Sequence, residues 1–263
     1  MTFTAEQLER YSRHIILKGV GVKGQKALLS SGVLVVGAGA LGSPAIMFLA
    51  ASGVGHIGIA DFDPVELTNL QRQIIHKTEA VGTAKVLSAK AAAQAINPYI
   101  KIDIYEKGVN EDNIDEIIRE YDFIIDGTDR FSAKFLINDA CVKNHKPFCY
   151  GGIKEFSGQI MTYVPGRGPC LRCIFDEAPP DDECETCSDV GVLGTLPGVI
   201  GTLQALEAQK YIIGTGDLLI GQMLVFDGLR TDFRKVDFSD CTERCPVYRK
   251  MKEKTANAKN HRP

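Results

Sequence analysis

Residues 33–60 contain no Asp, Glu, Lys or Arg. A stretch so apolar belongs either in a bilayer or in the core of a domain, and its punctuation decides which. Gly37, Gly39, Gly42, Gly53, Gly55 and Gly58, together with Pro44, fall where a strand, a turn, a buried helix and a second strand must be separated. The run therefore predicts strand over 33–36, helix over 41–52 and strand over 56–61. It reads as a βαβ unit at the centre of a domain and not as a membrane span.

The chain on either side keeps that rhythm. Thr4 and Gln7 have the spacing of a capping box at the head of a helix that runs on through Arg10 and Arg13. Residues 82–96 predict an alanine-rich helix stopped by Asn97-Pro98, and 100–105 a strand. Helix over 110–119, strand over 122–126, helix over 131–144 and a strand from 147 follow. This alternation predicts an α/β fold, Rossmann-like and doubly wound, with a mainly parallel sheet. After Gly151 the strands at 159–164, 222–227 and 231–238 predict antiparallel pairing that extends the sheet in the C-terminal half.

A long apolar helix is expected within 191–213. The acidic, proline-bearing segment 176–189 is too long for a simple connector and is read as mobile or functional. We expect one domain over 1–248, with N-terminal helices in 1–30, a nucleotide-binding half in 31–150 and a second half in 151–248. The basic, polar tail 249–263 is expected to be disordered.

Composition narrows the partners. At 263 residues and 44% hydrophobic content the chain can bury a substantial core. Its net charge of −3 gives no basic footprint, so nucleic acid is not expected as a partner. The opening residues lack the basic-then-apolar pattern of a signal peptide, which points to the cytoplasm.

Gly37, Gly39 and Gly42 form G-x-G-x-x-G between a strand and a helix start, where backbone N–H groups and the helix dipole can face phosphates. Asp61 stands where an acid bonds a ribose hydroxyl, and Asp63 follows it. The alternative for both is a solvated strand end, and for Arg72 and Lys85 an ordinary surface cation. Asn69 and Arg72 in one short segment after the ribose acid, with Lys85 further on, favour ATP over a nicotinamide dinucleotide. Asp129 follows a later strand, whose carboxyl end should face the same crevice. There it can hold Mg²⁺ against substrate phosphates, or else simply cap the next helix.

GAGALG, DFDPVELTNLQRQ, Lys85 and DGTD, with CLRC and GVLGTLPGVIGTLQALEA further on, resemble the MoeB/ThiF/HesA adenylyltransferases, relatives of ubiquitin-activating enzymes. The resemblance spans nearly the whole chain. It implies attack of the C-terminal Gly-Gly carboxylate of a ubiquitin-like sulfur-carrier protein on the α-phosphate of ATP, giving an acyl-adenylate and pyrophosphate. It implies that Arg72 and Lys85 contact phosphates, Asp129 binds Mg²⁺, Asp61 holds the ribose and Asn69 orders the site. It also implies that Arg13 reaches in from a second subunit, making a homodimer. Arg130 departs from the Asn usual after this aspartate.

Eight cysteines in such a chain point to metal or thiol chemistry before disulfides. Cys170 and Cys173 resemble half of the family's structural zinc site, but the final C-x-x-C is altered, with Tyr248 three residues after Cys245. Cys241 is the candidate fourth ligand beside Cys170, Cys173 and Cys245; Cys184 and Cys187 offer a local alternative, and the absence of zinc is the third. Cys187 also sits where some relatives use a thiol in transfer. A NAD(P)-dependent oxidoreductase and a non-catalytic scaffold subunit remain the competing functions. The carrier and its pathway, molybdopterin, thiamine or another, are not legible, and a separate protein is expected to donate sulfur.

Overall fold

The computed structural model describes residues 3–175, 177, 191–245 and 249. Among them, β1 (Gly32–Val36), β2 (His56–Ala60), β3 (Lys101–Tyr105), β4 (Phe123–Asp126), β5 (Phe148–Lys154), β6 (Ser157–Tyr163), β7 (Gln222–Asp227) and β8 (Asp232–Asp237) form one sheet. Its order is β3-β2-β1-β4-β5-β6-β7-β8. Neighbours from β3 to β5 pair in parallel and those from β5 to β8 antiparallel, as the change of rhythm after Gly151 predicts.

β1 and β4 are buried along their whole length, which is why their sequences are continuous apolar runs without alternation. The helices are α1 (Ala5–Arg10), α2 (Ser12–Ile15), α3 (Gly21–Ser30), α4 (Gly42–Ser52), α5 (Lys85–Ile96), α6 (Ile114–Arg119), α7 (Phe131–Lys143), α8 (Leu171–Ile174) and α9 (Thr195–Ile213). One core lies between the sheet and α4, α5 and α9; the other gathers around α6 and α7 on the opposite face. The apolar stretch 33–60 is thus strand, turn, 11-residue helix and strand, and no helix among the described residues is long and apolar enough to cross a membrane.

Among the boundaries that differ from the sequence expectation, three helix ends have a visible physical reason. The capping box of Thr4 and Gln7 is present, but the helix breaks at Tyr11 before Arg13. Tyr11 is buried, and its hydroxyl accepts a hydrogen bond from Asn97 Nδ2 at 2.8 Å. α5 starts at Lys85 and not near 82, because Ala84 bridges Pro64 and the Lys85 N–H donates to Asp63 O at 3.0 Å. α6 starts at Ile114 because the Asn110 side chain holds the N–H groups of Asp112 and Asn113 in a turn. The tail beyond 249 and the acidic segment 176–189, residue 177 apart, lie outside the described residues.

Under the carboxyl end of β4 runs a seam of buried polar groups. Asp126, fully buried, accepts at Oδ1 from the N–H and hydroxyl of Thr128 and at Oδ2 from Lys134 Nζ, 3.3 Å away. Lys134 also donates to Thr128 O at 2.7 Å and Gly151 O at 2.5 Å. From α9, Gln204 Nε2 donates to Asp126 O and Cys149 O, tying the helix to both strands. Removing one partner of a buried ion pair leaves the other uncompensated. Lys134→Met is therefore expected to cost about 3–5 kcal/mol in urea unfolding at neutral pH. Adding Asp126→Asn to it should cost less than the sum of the two single changes.

Candidate functional site

The connections from β1 and β4 leave the sheet on opposite sides, and a cleft opens between them at the strands' carboxyl ends. Gly37, Gly39, Asp61, Asp63, Arg72, Gln73, Lys85, Thr128, Asp129 and Arg130 all line it. Residues from five separate stretches of the chain therefore meet in one place.

The glycine turn is shaped by close approach. Gly37 has φ 95°, and a Cβ there would lie 2.7 Å from Gly127 O. At Gly42, the first residue of α4, a Cβ would lie 1.9 Å from Gly37 O. Gly39 is different: the nearest atom to a Cβ at that position is Gln73 Nε2 at 3.6 Å, an ordinary contact. Packing within the protein does not require glycine at 39. A bare backbone there suits a ligand that must come against the turn, as phosphates do.

Asp61 and His76 grip the peptide units of Ala38. Asp61 Oδ2 accepts from Ala38 N at 2.8 Å, and its Oδ1 accepts from Asp63 N at 2.9 Å. Burial raises the Asp61 carboxyl above its ordinary pKa, opposed by Lys85 and by these two N–H donors. His76 Nε2 lies 2.9 Å from Ala38 O and its Nδ1 2.9 Å from Ser88 Oγ. A carbonyl only accepts, so Nε2 carries the proton and the Ser88 hydroxyl donates to Nδ1 of a neutral ring. Burial lowers the His76 pKa, the bond to Ala38 opposes this, and Lys85 adds to the lowering.

The cationic wall is equally built. Lys85 is buried and places Nζ 2.8 Å from Asp63 Oδ2. Asn69 is buried in a 3-10 turn, Leu67–Asn69, where its Oδ1 accepts from Glu66 N at 3.1 Å. Its carbonyl accepts from the N–H groups of Arg72 and Gln73, so Asn69 orders the wall from behind without lining the cleft. Arg72 Nη1 donates to Thr68 O at 3.0 Å. Gln73 is buried, and its Oε1 has no hydrogen-bond partner among the described residues.

Asp129 and Arg130 are exposed in the opposite wall. The residue at the N-cap of α7 is Arg130, with no side-chain cap bond, so Asp129 is not used as a helix cap. Arg13 is exposed on α2 and does not line this cleft, while Gly42 supports the turn from behind.

His76 and Lys134 escaped the sequence reading. Lys134 had a usable signal: it shares a helix face with Ile137, Asn138 and Cys141, and a lysine on a buried face needs a buried anion. His76 had none, since its partners are 38 and 12 residues away.

The thiols separate by environment. Burial pushes the Cys141 and Cys149 thiols far above the ordinary range, which suits core residues. Cys170, Cys173 and Cys245 are buried with their sulfurs all within 4.8 Å of one another, a set that fits a thiophilic metal such as zinc. The expected fourth ligand, Cys241, is partly buried nearby but stands outside that group. Cys184, Cys187 and Tyr248 lie outside the described residues.

A model of the ThiF family matches residues 11–247. The chain is 42% identical to the sulfur carrier protein adenylyltransferase of Thermus thermophilus, over 94% of this chain and 93% of that protein. It is 44% identical to the SAMP-activating enzyme E1 of Haloferax volcanii, over 94% and 91%. With the adenylyltransferase and sulfurtransferase MOCS3-1 of Zea mays it shares 48% identity over 90% of this chain, but it spans only about half of that relative, 52%. The E. coli MccB structure with ATP superposes at a TM-score of 0.80 and 23% identity, covering 91% of this chain and 74% of that one, which shows the shared fold.

The neutral state of His76 is open to measurement. Its imidazole should titrate below 6.5 in the folded protein, and Lys85→Met should raise that value without restoring 6.5, because burial is the larger cause. Between the folded value and 6.5 the unfolded chain binds more protons. The histidine's contribution to stability is thus full above 6.5 and is lost as pH falls from there through the folded value. Histidine-selective NMR and urea midpoints between pH 5 and 8 test both statements.

Proposed function

This chain belongs to the ThiF family, and on that footing we propose that it adenylylates the C-terminal glycine carboxylate of a ubiquitin-like sulfur-carrier protein, using ATP and Mg²⁺ and releasing pyrophosphate. The observation that carries this reading is the convergence of Arg72, Lys85 and Asp129 on the glycine turn in one cleft. A nicotinamide site, or a silent scaffold, would leave those three without a task.

The charge requirements agree. A carboxylate and an α-phosphate about 4 Å apart repel by about 4 kcal/mol at an effective dielectric near 20. The cleft's formal charges cancel: Asp61, Asp63 and Asp129 against Arg72, Lys85 and Arg130. A triphosphate entering it calls for further positive charge, which Mg²⁺ on the exposed Asp129 carboxylate would supply when bound. Lys85, fixed against Asp63, and Arg72, fixed against Thr68, offset charge on the phosphates without having to be ordered during the reaction. Asp61 faces the ribose while holding the turn.

The active form is a homodimer in which Arg13 of one subunit completes the other's cleft, in keeping with its absence from the cleft of its own chain. Cys187 is assigned to the transfer step on family resemblance alone. A separate protein donates the sulfur, and a cytoplasmic setting suits each of these roles.

Carrier-dependent exchange of labelled pyrophosphate into ATP tests the reaction. We expect exchange with at least one carrier from the same genome, its loss in Asp129→Ala, and a fall of about 10²–10³ in Arg72→Ala. No exchange with any carrier, from folded protein given Mg²⁺, would remove the proposal. Mixing Arg13→Ala with Asp129→Ala subunits should restore about a quarter of the wild-type rate, since one site in each mixed dimer is then intact.

A further inference from the structure

The cleft has a direction, set by the strand order β2-β1-β4-β5. Asp61 follows β2, Gly37 follows β1, Asp129 and Arg130 follow β4, and Ile153 lies on β5. A nucleotide with its ribose on Asp61 and its phosphates on the glycine turn fills the β2 and β1 positions. A second reactant that comes to it from the β5 side passes Ile153, Ala133 and Arg130. Among the described lining residues on that side, Arg130 is the one cation.

The cleft's three cations are held differently. Lys85 Nζ lies 2.8 Å from Asp63 Oδ2, and Arg72 Nη1 donates to Thr68 O at 3.0 Å. The Arg130 side chain is exposed and makes no hydrogen bond, ion pair or ring contact among the described residues. Its backbone, in contrast, is anchored. Arg130 is the N-cap of α7, and its carbonyl accepts from Lys134 N at 3.1 Å, while the side chain of that same lysine reaches back to Thr128 O at 2.7 Å. A fixed base thus carries a guanidinium with nothing inside the chain to bind. Asp129 beside it would repel an incoming anion, and a cation at the next residue offsets that repulsion where it arises. The planar fork of a guanidinium matches the two oxygens of a carboxylate.

We propose that Arg130 receives the terminal carboxylate of the acceptor, pairing with it on the β4–β5 side of the cleft before it meets the α-phosphate. The assignment rests on the adenylylation reading and deepens it, by naming the residue that recognises the acceptor's terminal charge. It divides the cationic work of the cleft: Arg72, Lys85 and the glycine turn serve the phosphates, and Arg130 serves the carboxylate. An acceptor whose terminus carries no charge keeps its other contacts and loses this one.

Calorimetry with two forms of one carrier tests this. The carrier that supports pyrophosphate exchange is prepared with its C-terminal carboxylate free and as the C-terminal amide, and each is titrated into the full chain. The wild type should favour the free carboxylate by about tenfold, the scale of a hydrogen bond to a charged group. Arg130→Gln should abolish that preference and leave the affinity for ATP unchanged. Arg130→Lys should keep part of the preference, because the charge stays and the fork is lost. No preference in the wild type, a preference that survives in Arg130→Gln, or a fall in that variant's ATP affinity, which would put the guanidinium on the triphosphate, would each overturn the assignment while exchange by the wild type left the adenylylation reading standing. Absence of exchange with every carrier would remove that reading and this assignment together.

Discussion

The cleft depends on two strand ends meeting backbone to backbone. Gly37 after β1 and Gly127 after β4 approach so closely that a Cβ on Gly37 would lie 2.7 Å from Gly127 O, and one on Gly127 3.1 Å from Gly37 O. No side chain stands between them, so the loop that carries the glycine turn and the loop that carries Asp129 share one wall. Chain connectivity alone would leave these groups unrelated. The parallel register of β1 with β4, in which Val36 pairs with Asp126, converts a long sequence separation into a single site.

That meeting of loops rests on a polar foundation. Asp126, Lys134, Thr128 and the Gly151 carbonyl form a connected set beneath the cleft, and Gln204 binds it to the longest helix. Such groups gain little net stability by being buried together, but they tolerate few alternative arrangements. A purely apolar packing would not fix the direction of the Thr128 carbonyl or the height of the loop leading to Asp129. The foundation is therefore better understood as setting position than as adding strength.

Much of this was legible in the chain. Apolar runs punctuated by glycine gave the parallel strands, and the change of rhythm after Gly151 gave the antiparallel ones. Gly37, Gly39, Asp61, Asp63, Arg72, Lys85 and Asp129 meet as their motifs suggest. What escaped reading depends on distant partners. Tyr11 breaks the first helix because Asn97 draws its hydroxyl inward, and Ala84 stays extended because Pro64 lies beside it. His76 is indistinguishable from a surface histidine until the fold brings it against Ala38. Among the cysteines, Cys170, Cys173 and Cys245 come together from opposite ends of the C-terminal half, while Cys241 packs beside them, partly buried.

Ala38 has an unremarkable side chain, yet its backbone is held at both ends, the N–H by Asp61 and the carbonyl by His76. A loop fixed in this way has already lost its conformational freedom before any nucleotide arrives. A nucleotide would meet a finished surface and not create one, so the free energy of contact need not be spent on ordering the turn. Selection among nucleotides then falls to how well each fits a rigid mould. Loosening either grip would make the turn more permissive and, at the same time, weaker in its hold.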